Sequence, residues 1–297
     1  MTHKTPDTQY KDLLQEVLDK GVRVKSQQEV DAIRYVAPRP LHFKFENGFP
    51  IITERNMDPK KMAVPIWQQA IGEIIGFING ARSLEELESY GCSWWSPWGT
   101  EAKCRKRGLE TGDLGPGSYG AAFHDFPTAE GETFNQFKFL VEQIKQRPHL
   151  RTHFVTPWIP QYTYRVEGRQ QKVVVCPCHG WVHVLVHDNK LTLHMFQRSG
   201  DIPVGVPANF VQYAALALML AQATGLEAYE YVHSLSDAHI YVDQIPAAEE
   251  MIAREARTLP DLVLKSDKTD LFAFRREDFT LVDYNPHPGI KNIPVAI

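Results

Sequence analysis

The sequence predicts an α+β fold, on three observations. Runs such as Leu41-His42-Phe43-Lys44-Phe45 alternate apolar and polar residues with the two-residue period of half-buried strands. Two segments, Met62 to Asn79 and Pro207 to Thr224, are apolar over helical lengths. The 20 prolines are scattered, which suits a loop-rich mixed protein better than a helical bundle. With 297 residues and 43% hydrophobic content, the chain can fill one large core. No Gly-, Ser- or Pro-rich linker interrupts it, so one domain over residues 1–297 is expected.

The elements follow in order. Tyr10 to Lys20 carries Leu13, Leu14, Val17 and Leu18 on one stripe and stops at Gly21, which predicts a helix. Residues 22–56 hold short strands broken by Gly48 and Pro50. Met62 to Asn79 is a long helix ended by Gly80. Ser83 to Tyr90 is a short helix with Ser83 as N-cap and Glu86 completing a capping box. Gly91 to Phe126 is rich in Trp and Gly and lacks periodicity, as long functional loops do. Thr133 to Gln146 reads as helix. Strands are expected at Arg151 to Thr156, Lys172 to Val186 and Lys190 to Gln197, the last two joined by the turn pair Asp188-Asn189. Pro207 to Thr224 is the central helix, residues 230–245 carry His233, Asp237, His239 and Tyr241, and a helix near 246–257 precedes short strands.

A formal net charge of −4 argues against a nucleic-acid binder. The short run Lys103, Arg105, Lys106, Arg107 reads as a solvated loop. The amino-terminal segment is polar and then amphipathic, unlike a secretory leader, and no apolar stretch approaches the ~20 residues of a membrane span. A cytoplasmic, reduced protein is therefore expected, in which a reactive thiol persists.

Cys178 is the first candidate for chemistry. A lone cysteine is commonly a small core residue. Here Pro177 disrupts strand pairing, His179 follows, and Arg198 can reach the sulfur across the expected hairpin and favour its thiolate. Cys176, Cys178, His179 and His183 have poor zinc-site spacing, so no metal is expected. A cysteine hydrolase would need His239 and Asp237 in contact with the thiol, which spacing alone leaves open. Arg198 and Ser199 suit a phosphate, or else a surface salt bridge and a turn. Asn209 enters the most apolar helix, where its amide either reads an amide-like ring such as uracil or binds backbone. Glu73 lies among Ile71, Ile74, Ile75 and Phe77: buried, it would have a raised pKa and suit proton transfer; on an amphipathic helix it would face water. Trp94, Trp95 and Trp98 can stack on a flat heterocycle or fill a core.

Together these segments resemble the thymidylate synthase family. The resemblance is carried by Cys176-Pro177-Cys178-His179, by Gln197-Arg198-Ser199-Gly200-Asp201 running on to Gly205-Val206-Pro207-Ala208-Asn209, by Ser236-Asp237-Ala238-His239-Ile240-Tyr241, and by the tail from Tyr284-Asn285-Pro286-His287 to Pro294-Val295-Ala296-Ile297. Weaker matches are Gly72-Glu73-Ile74-Ile75, Trp95-Ser96-Pro97-Trp98 and Gly112-Asp113-Leu114-Gly115-Pro116. The order of blocks is the family's, over nearly the whole chain.

The resemblance implies an α+β fold with a large mixed sheet flanked by helices, packed back-to-back in a homodimer. It implies one-carbon transfer from 5,10-methylenetetrahydrofolate to C5 of a pyrimidine nucleoside monophosphate. A Cys178 thiolate adds at C6 and makes C5 nucleophilic, so that covalent catalysis divides one hard step into easier ones. Hydride from the folate then yields a methyl group; water in its place yields hydroxymethyl. A catalytically silent nucleotide-binding homologue is the other alternative. By the same resemblance Glu73 orders proton transfer with Tyr119 and His179 in support. Arg198 and Ser199 bind phosphate with Arg151 from a partner subunit. Asn209 reads the base, and His239 and Tyr241 hold the sugar. Asp201, Gly205, Trp95, Trp98 and Ile297 line or close over the folate.

The chain also departs from the family. Gln28 stands where a phosphate-binding arginine is usual, with Arg34 as a substitute, and the usual paired arginines become Arg151-Thr152. Gly76 and Ala208 replace large aromatics, and the loop Pro116-Gly117-Ser118-Tyr119-Gly120 carries an extra residue, changes expected to enlarge the folate pocket and admit water.

Overall fold

A seven-stranded mixed sheet, covered on one side by helices, organises the protein. The computed structural model describes residues 4–296. Helix α1 (Gln9–Lys20) buries Leu13, Leu14 and Val17 of the predicted stripe and Tyr10 besides, while Leu18 is half-buried. Strands β1 (Val22–Val24), β2 (Ala32–Val36) and β3 (Leu41–Lys44) follow. Helix α2 (Ile66–Ile78) starts later than its apolar run, because a residue preceding proline is biased out of the helical region and Pro65 ends that bias. Helix α3 (Leu84–Ser89) carries the expected capping box: Ser83 Oγ accepts from the Glu86 N–H at 3.2 Å, and the Glu86 carboxylate accepts from the Ser83 N–H at 2.9 Å.

The Trp- and Gly-rich segment is not structureless. It contains α4 (Glu101–Arg105) and α5 (Tyr119–His124), too short to show a period in sequence. A small pair, β4 (Phe126–Pro127) and β5 (Thr133–Phe134), leads to α6 (Gln136–Gln146). That helix begins after Thr133 because Asn135 caps it, accepting from the Lys138 N–H at 2.9 Å. Strand β6 (Phe154–Val155) is a remnant of the expected Arg151–Thr156, and α7 (Pro160–Thr163) is one turn. Strand β7 (Trp181–His187) starts well after Lys172, because Pro177 and a left-handed Gly180 (φ 100°) interrupt the extended run. Strand β8 (Lys190–Asp201), α8 (Gly205–Thr224), β9 (Glu227–Tyr241), α9 (Ile245–Ala253), β10 (Asp261–Leu264) and β11 (Phe279–Val282) complete the chain. Asp188 and Asn189 both take positive φ (48° and 64°), as the tight turn between β7 and β8 requires.

The sheet order is β1-β2-β9-β8-β7-β6, with β3 also on β9. All its pairs are antiparallel except β8–β9, which α8 connects. Helix α8 is long and apolar enough, by length and composition, to cross a membrane, against the expectation that no stretch approaches that length. It is instead largely enclosed, packed on α2, α6, β8 and β9. Val182, Val184, Leu191, Leu193 and Tyr231 are buried on the helix-covered face. The opposite face leaves Phe154, Leu185 and Phe196 exposed at 54%, 41% and 38%.

Candidate active site

The site forms where the segment before β7, the end of β8 and the start of α8 meet. The Cys178 N–H donates to the Tyr119 hydroxyl at 2.6 Å. The Cys178 carbonyl accepts from the Arg198 N–H at 2.8 Å, which extends the β7–β8 pairing past Trp181. The Arg198 guanidinium donates to the carbonyls of Pro177 (2.7 Å) and Cys176 (2.9 Å) and to the Cys178 sulfur at 3.3 Å. It also lies over the Trp158 ring, 5.7 Å from its centroid. The hairpin thus delivers the arginine to the thiol as the sequence suggests. Burial nevertheless pushes the Cys178 thiol above its ordinary value, and the Arg198 charge only limits the rise. The expected thiolate is therefore not the favoured resting form: desolvation of the sulfur outweighs one guanidinium.

Behind the cysteine lies a stack of rings. His179 stacks on Tyr119 (centroids 4.5 Å apart), and Tyr119 on Phe77 (4.7 Å). His179 Nδ1 meets the Tyr213 hydroxyl at 2.6 Å. Burial, helped by Arg198, pulls the imidazole down to about 3, so His179 is neutral at physiological pH.

Glu73 does not face water. It is 5% exposed on α2. Its carboxylate accepts from Trp94 Nε1 at 2.8 Å, from Trp95 Nε1 and from Gln212 Nε2. Burial pushes it up to about 7, with the two indole bonds pulling back. Trp94 and Trp95 therefore spend their N–H groups on Glu73, while Trp98 reaches the open cleft.

Asn209 does not cap its helix through the backbone. Its Oδ1 accepts from Gln197 Nε2 at 3.0 Å, and its Nδ2 donates to Gln212 Oε1 at 2.9 Å. Gln212 and Gln197 are functional candidates that the sequence reading left without roles. The signal for Gln212 was present: a polar residue three positions from Asn209 on the most apolar helix shares its face.

The cleft has a volume of about 930 Å³, and Trp98, Cys178, Arg198, Ser199, His239 and Tyr241 lie on its walls. His239 Nδ1 is 3.0 Å from Asp237 Oδ1, an arrangement that orients the ring. Burial raises Tyr241 to about 12, so its hydroxyl keeps its proton. Asp201, at the junction of β8 and α8 with Gly205, accepts from Gln244 Nε2 at 2.9 Å and from the Val204 N–H at 3.2 Å. Burial raises its carboxyl above the ordinary range.

The wall is rich in cations. Gln28 and Arg34 both border the cleft, with Arg34 Nη1 3.9 Å from Asp237 Oδ2. Lys25, Lys103, Arg107 and Arg165 join them. The run from Lys103 to Arg107 is therefore not simply a solvated loop. Lys103 on α4 and Arg107 in the turn that follows it border the cleft, while Arg105 pairs outside with Glu101 at 2.5 Å. Arg107 is anchored by donating to Val173 O (2.9 Å) and Lys103 O (2.7 Å). Among the described residues, Lys25, Lys103, Arg107, Arg165 and Arg198 make no ion pair with a carboxylate.

Two expected site residues stand apart. Arg151 is exposed near the β6 edge, its carbonyl 3.2 Å from His183 Nε2, and does not border its own chain's cleft. Ile297 lies outside the described residues. Gly76 does not open the folate pocket either. A Cβ there would meet Leu87 Cδ2 at 3.1 Å and Tyr90 Cδ2 at 3.3 Å, so the missing side chain lets α3 pack against α2. A protein-family model described as thymidylate synthase matches residues 8–297 of this chain.

Proposed function

Because this chain belongs to the thymidylate synthase family, whose reaction is folate-dependent one-carbon transfer to a pyrimidine nucleotide, we propose that it methylates C5 of a dUMP-like nucleoside monophosphate. The observation that carries this reading is one juxtaposition. A cysteine sulfur lies on a cleft wall 3.3 Å from a guanidinium, with a buried carboxyl of pKa about 7 linked to Asn209 through one glutamine.

In this reading Cys178 gives up its proton and its sulfur adds to C6 of the base. Tyr119 fixes the cysteine backbone. Glu73, able to hold or release a proton near neutral pH, serves proton transfer around the ring. Neutral His179 supports that network. Asn209 offers one donor and one acceptor to the base edge after its two amide bonds are counted. His239 and Tyr241 hold the sugar. Arg198 and Ser199 bind the phosphate, and Arg107 and Arg165 supply positive charge that Gln28 and Thr152 lack. 5,10-Methylenetetrahydrofolate supplies the carbon and the hydride. Trp98 forms one wall for it, with Trp95 behind, and Asp201, Gly205 and Ile297 are assigned to its closure.

The space vacated at Gly76 is filled by Leu87 and Tyr90 rather than left for water, which supports methyl, while Ala208 and the extra residue of the 116–120 loop still support hydroxymethyl. The reading includes one catalytic domain, a cytoplasmic location and a homodimer. The exposed sheet face around Phe154, Leu185 and Phe196 would be covered by a second copy, and Arg151 would cross to the partner's phosphate site. Incubation of the protein with dUMP and methylenetetrahydrofolate, read by mass spectrometry, tests it. The expected product is heavier by CH2. A gain of CH2O makes the enzyme a hydroxymethylase. Nucleotide binding with no product from uracil or cytosine nucleotides leaves a silent homologue and sinks the enzyme reading.

A further inference from the structure

Trp158 borders the cleft and covers one face of the Arg198 guanidinium, whose Cζ lies 5.7 Å from the ring centroid. The chain around it is stiff. Pro157 and Pro160 bracket it and fix two backbone dihedrals, its N–H donates to Thr156 Oγ1 at 3.3 Å, and Ile159 beside it is 1% exposed. Other rings hold the indole in turn. It stacks on Trp181, with centroids 6.0 Å and planes 29° apart, and meets Tyr164 edge-on at 6.1 Å. Trp181 meets Phe196 edge-on at 5.7 Å. A file of rings thus runs from the exposed sheet face at Phe196 to Arg198.

A guanidinium is planar and carries five N–H donors. Arg198 commits three of them: Nε to Pro177 O at 2.7 Å, and Nη2 to Cys176 O at 2.9 Å and to the Cys178 sulfur at 3.3 Å. Among the described residues the two on Nη1 have no partner, which leaves them for an anion in the cleft. The committed bonds lie along one edge of the plane. They hold that edge in place but oppose tilting about it weakly. A tilt carries Nη2 off the sulfur and Nη1 away from its ligand. A flat surface against the face opposes the tilt, and Trp158 is such a surface, one that attracts a cation electrostatically. The ring also keeps water off that face, so the charge acts on the sulfur through a less polar medium.

We propose that Trp158 is a positioning residue: its ring fixes the plane of the Arg198 guanidinium, and with it both the cation's hold on the Cys178 sulfur and the aim of Nη1 at the substrate phosphate, while Trp181 locks the ring from the sheet side. The ionisable groups that face the sulfur are Arg198 from β8, Cys176 two residues upstream, Asp237 from β9 and Tyr119 from α5. Trp158 carries no charge, so replacing it acts on the sulfur in two ways of opposite sign. Water admitted to the vacated space relieves burial and lowers the thiol's titration; a tilted guanidinium raises it. The sign of the shift therefore separates lost positioning from mere opening of the cleft.

Two measurements on the intact protein test this. The first is the pH profile of Cys178 alkylation by iodoacetamide, followed by mass spectrometry, which needs no nucleotide. The second is dUMP against deoxyuridine affinity by calorimetry, which rests on the proposed function. In Trp158→Leu the alkylation midpoint should rise by about half a pH unit. Binding of dUMP should weaken by about threefold to tenfold, with deoxyuridine unchanged. Trp158→Phe keeps a ring face and loses the indole N–H, and should restore most of both. Trp181→Leu leaves the Arg198 contact in place but loosens the ring, and should shift both readouts the same way by less. A wild-type or lowered midpoint in Trp158→Leu, or a Trp158→Phe protein displaced as far as Trp158→Leu, overturns the proposal. If Trp158→Leu does not fold, an unshifted midpoint in Trp181→Leu overturns it. A raised midpoint in Trp158→Leu beside a wild type that binds no nucleotide supports the positioning role and sinks the functional reading, so the two failures are separable.

Discussion

Arg198 and Cys178 are joined twice: the backbone N–H of Arg198 donates to the Cys178 carbonyl at 2.8 Å, and its guanidinium donates to the Cys178 sulfur at 3.3 Å. The first bond sets the register that makes the second possible. Lysine at this position keeps the charge but cannot bond to Pro177 O, Cys176 O and the sulfur together. Because burial raises the thiol, alkylation of Cys178 by iodoacetamide should still be climbing above neutral pH in the wild type. In Arg198→Lys the midpoint should move higher. An unchanged midpoint, followed by mass spectrometry of the Cys178 peptide, would show that the guanidinium leaves the sulfur unaffected.

Burial of Glu73 predicts an effect on stability as well as on activity. Its folded value of about 7 lies above the ordinary 4.5. The stability linked to this group is therefore full below about 4.5 and is lost as pH rises through about 7. Glu73→Gln removes that loss, so its melting temperature relative to wild type should improve from acid to alkaline pH. Its turnover should fall by about 10²–10⁴ with nucleotide affinity changed far less, as for loss of a proton-transfer group. A variant with wild-type turnover would remove Glu73 from the chemistry.

The cationic wall predicts a phosphate-specific effect. Arg165 makes a single side-chain bond, to Gln171 Oε1 at 2.9 Å, so Arg165→Gln should leave the fold intact. It should weaken dUMP binding by about tenfold at low salt, while deoxyuridine binding stays the same. Because Arg165 is exposed, the difference should shrink as salt is added. Equal weakening of nucleotide and nucleoside would assign Arg165 a structural role instead.

The exposed sheet face predicts the oligomer. Leu185→Lys places a charge where a second copy would pack and should shift sedimentation from dimer to monomer. If Arg151 crosses between subunits, Arg151→Ala and Cys178→Ser proteins should each be weak or inactive. A mixture, after subunit exchange, should regain activity in sites combining one intact cysteine with the other chain's arginine. No recovery on mixing would place Arg151 outside the partner's site.

Much of the architecture was legible because it is local. The Ser83–Glu86 capping box, the Asp188-Asn189 turn and the stripe of α1 depend on residues within one or two turns of one another. The starts of α2 and β7 were misplaced because Pro65, Pro177 and a left-handed Gly180 cut patterns whose hydrophobicity runs on unbroken. Helices α4 and α5 span 5 and 6 residues, too few for a period to declare itself.

The sequence by itself determined the family and nominated the candidate reactive groups: an ordered series of blocks around Cys178, Arg198 and Asn209 carries the thymidylate synthase pattern without any coordinates. Tertiary structure decided the state of those groups. Burial of Glu73 between α2 and α8 raises its pKa against the pull of two indole bonds, burial of Cys178 overcomes its arginine, and Lys103 on α4 and Arg107 just after it border the cleft. The physical reason is that desolvation and hydrogen-bond direction belong to the surroundings in space. Gln212 lies 139 residues from Glu73 along the chain, and only the packing of α8 on α2 brings them into contact.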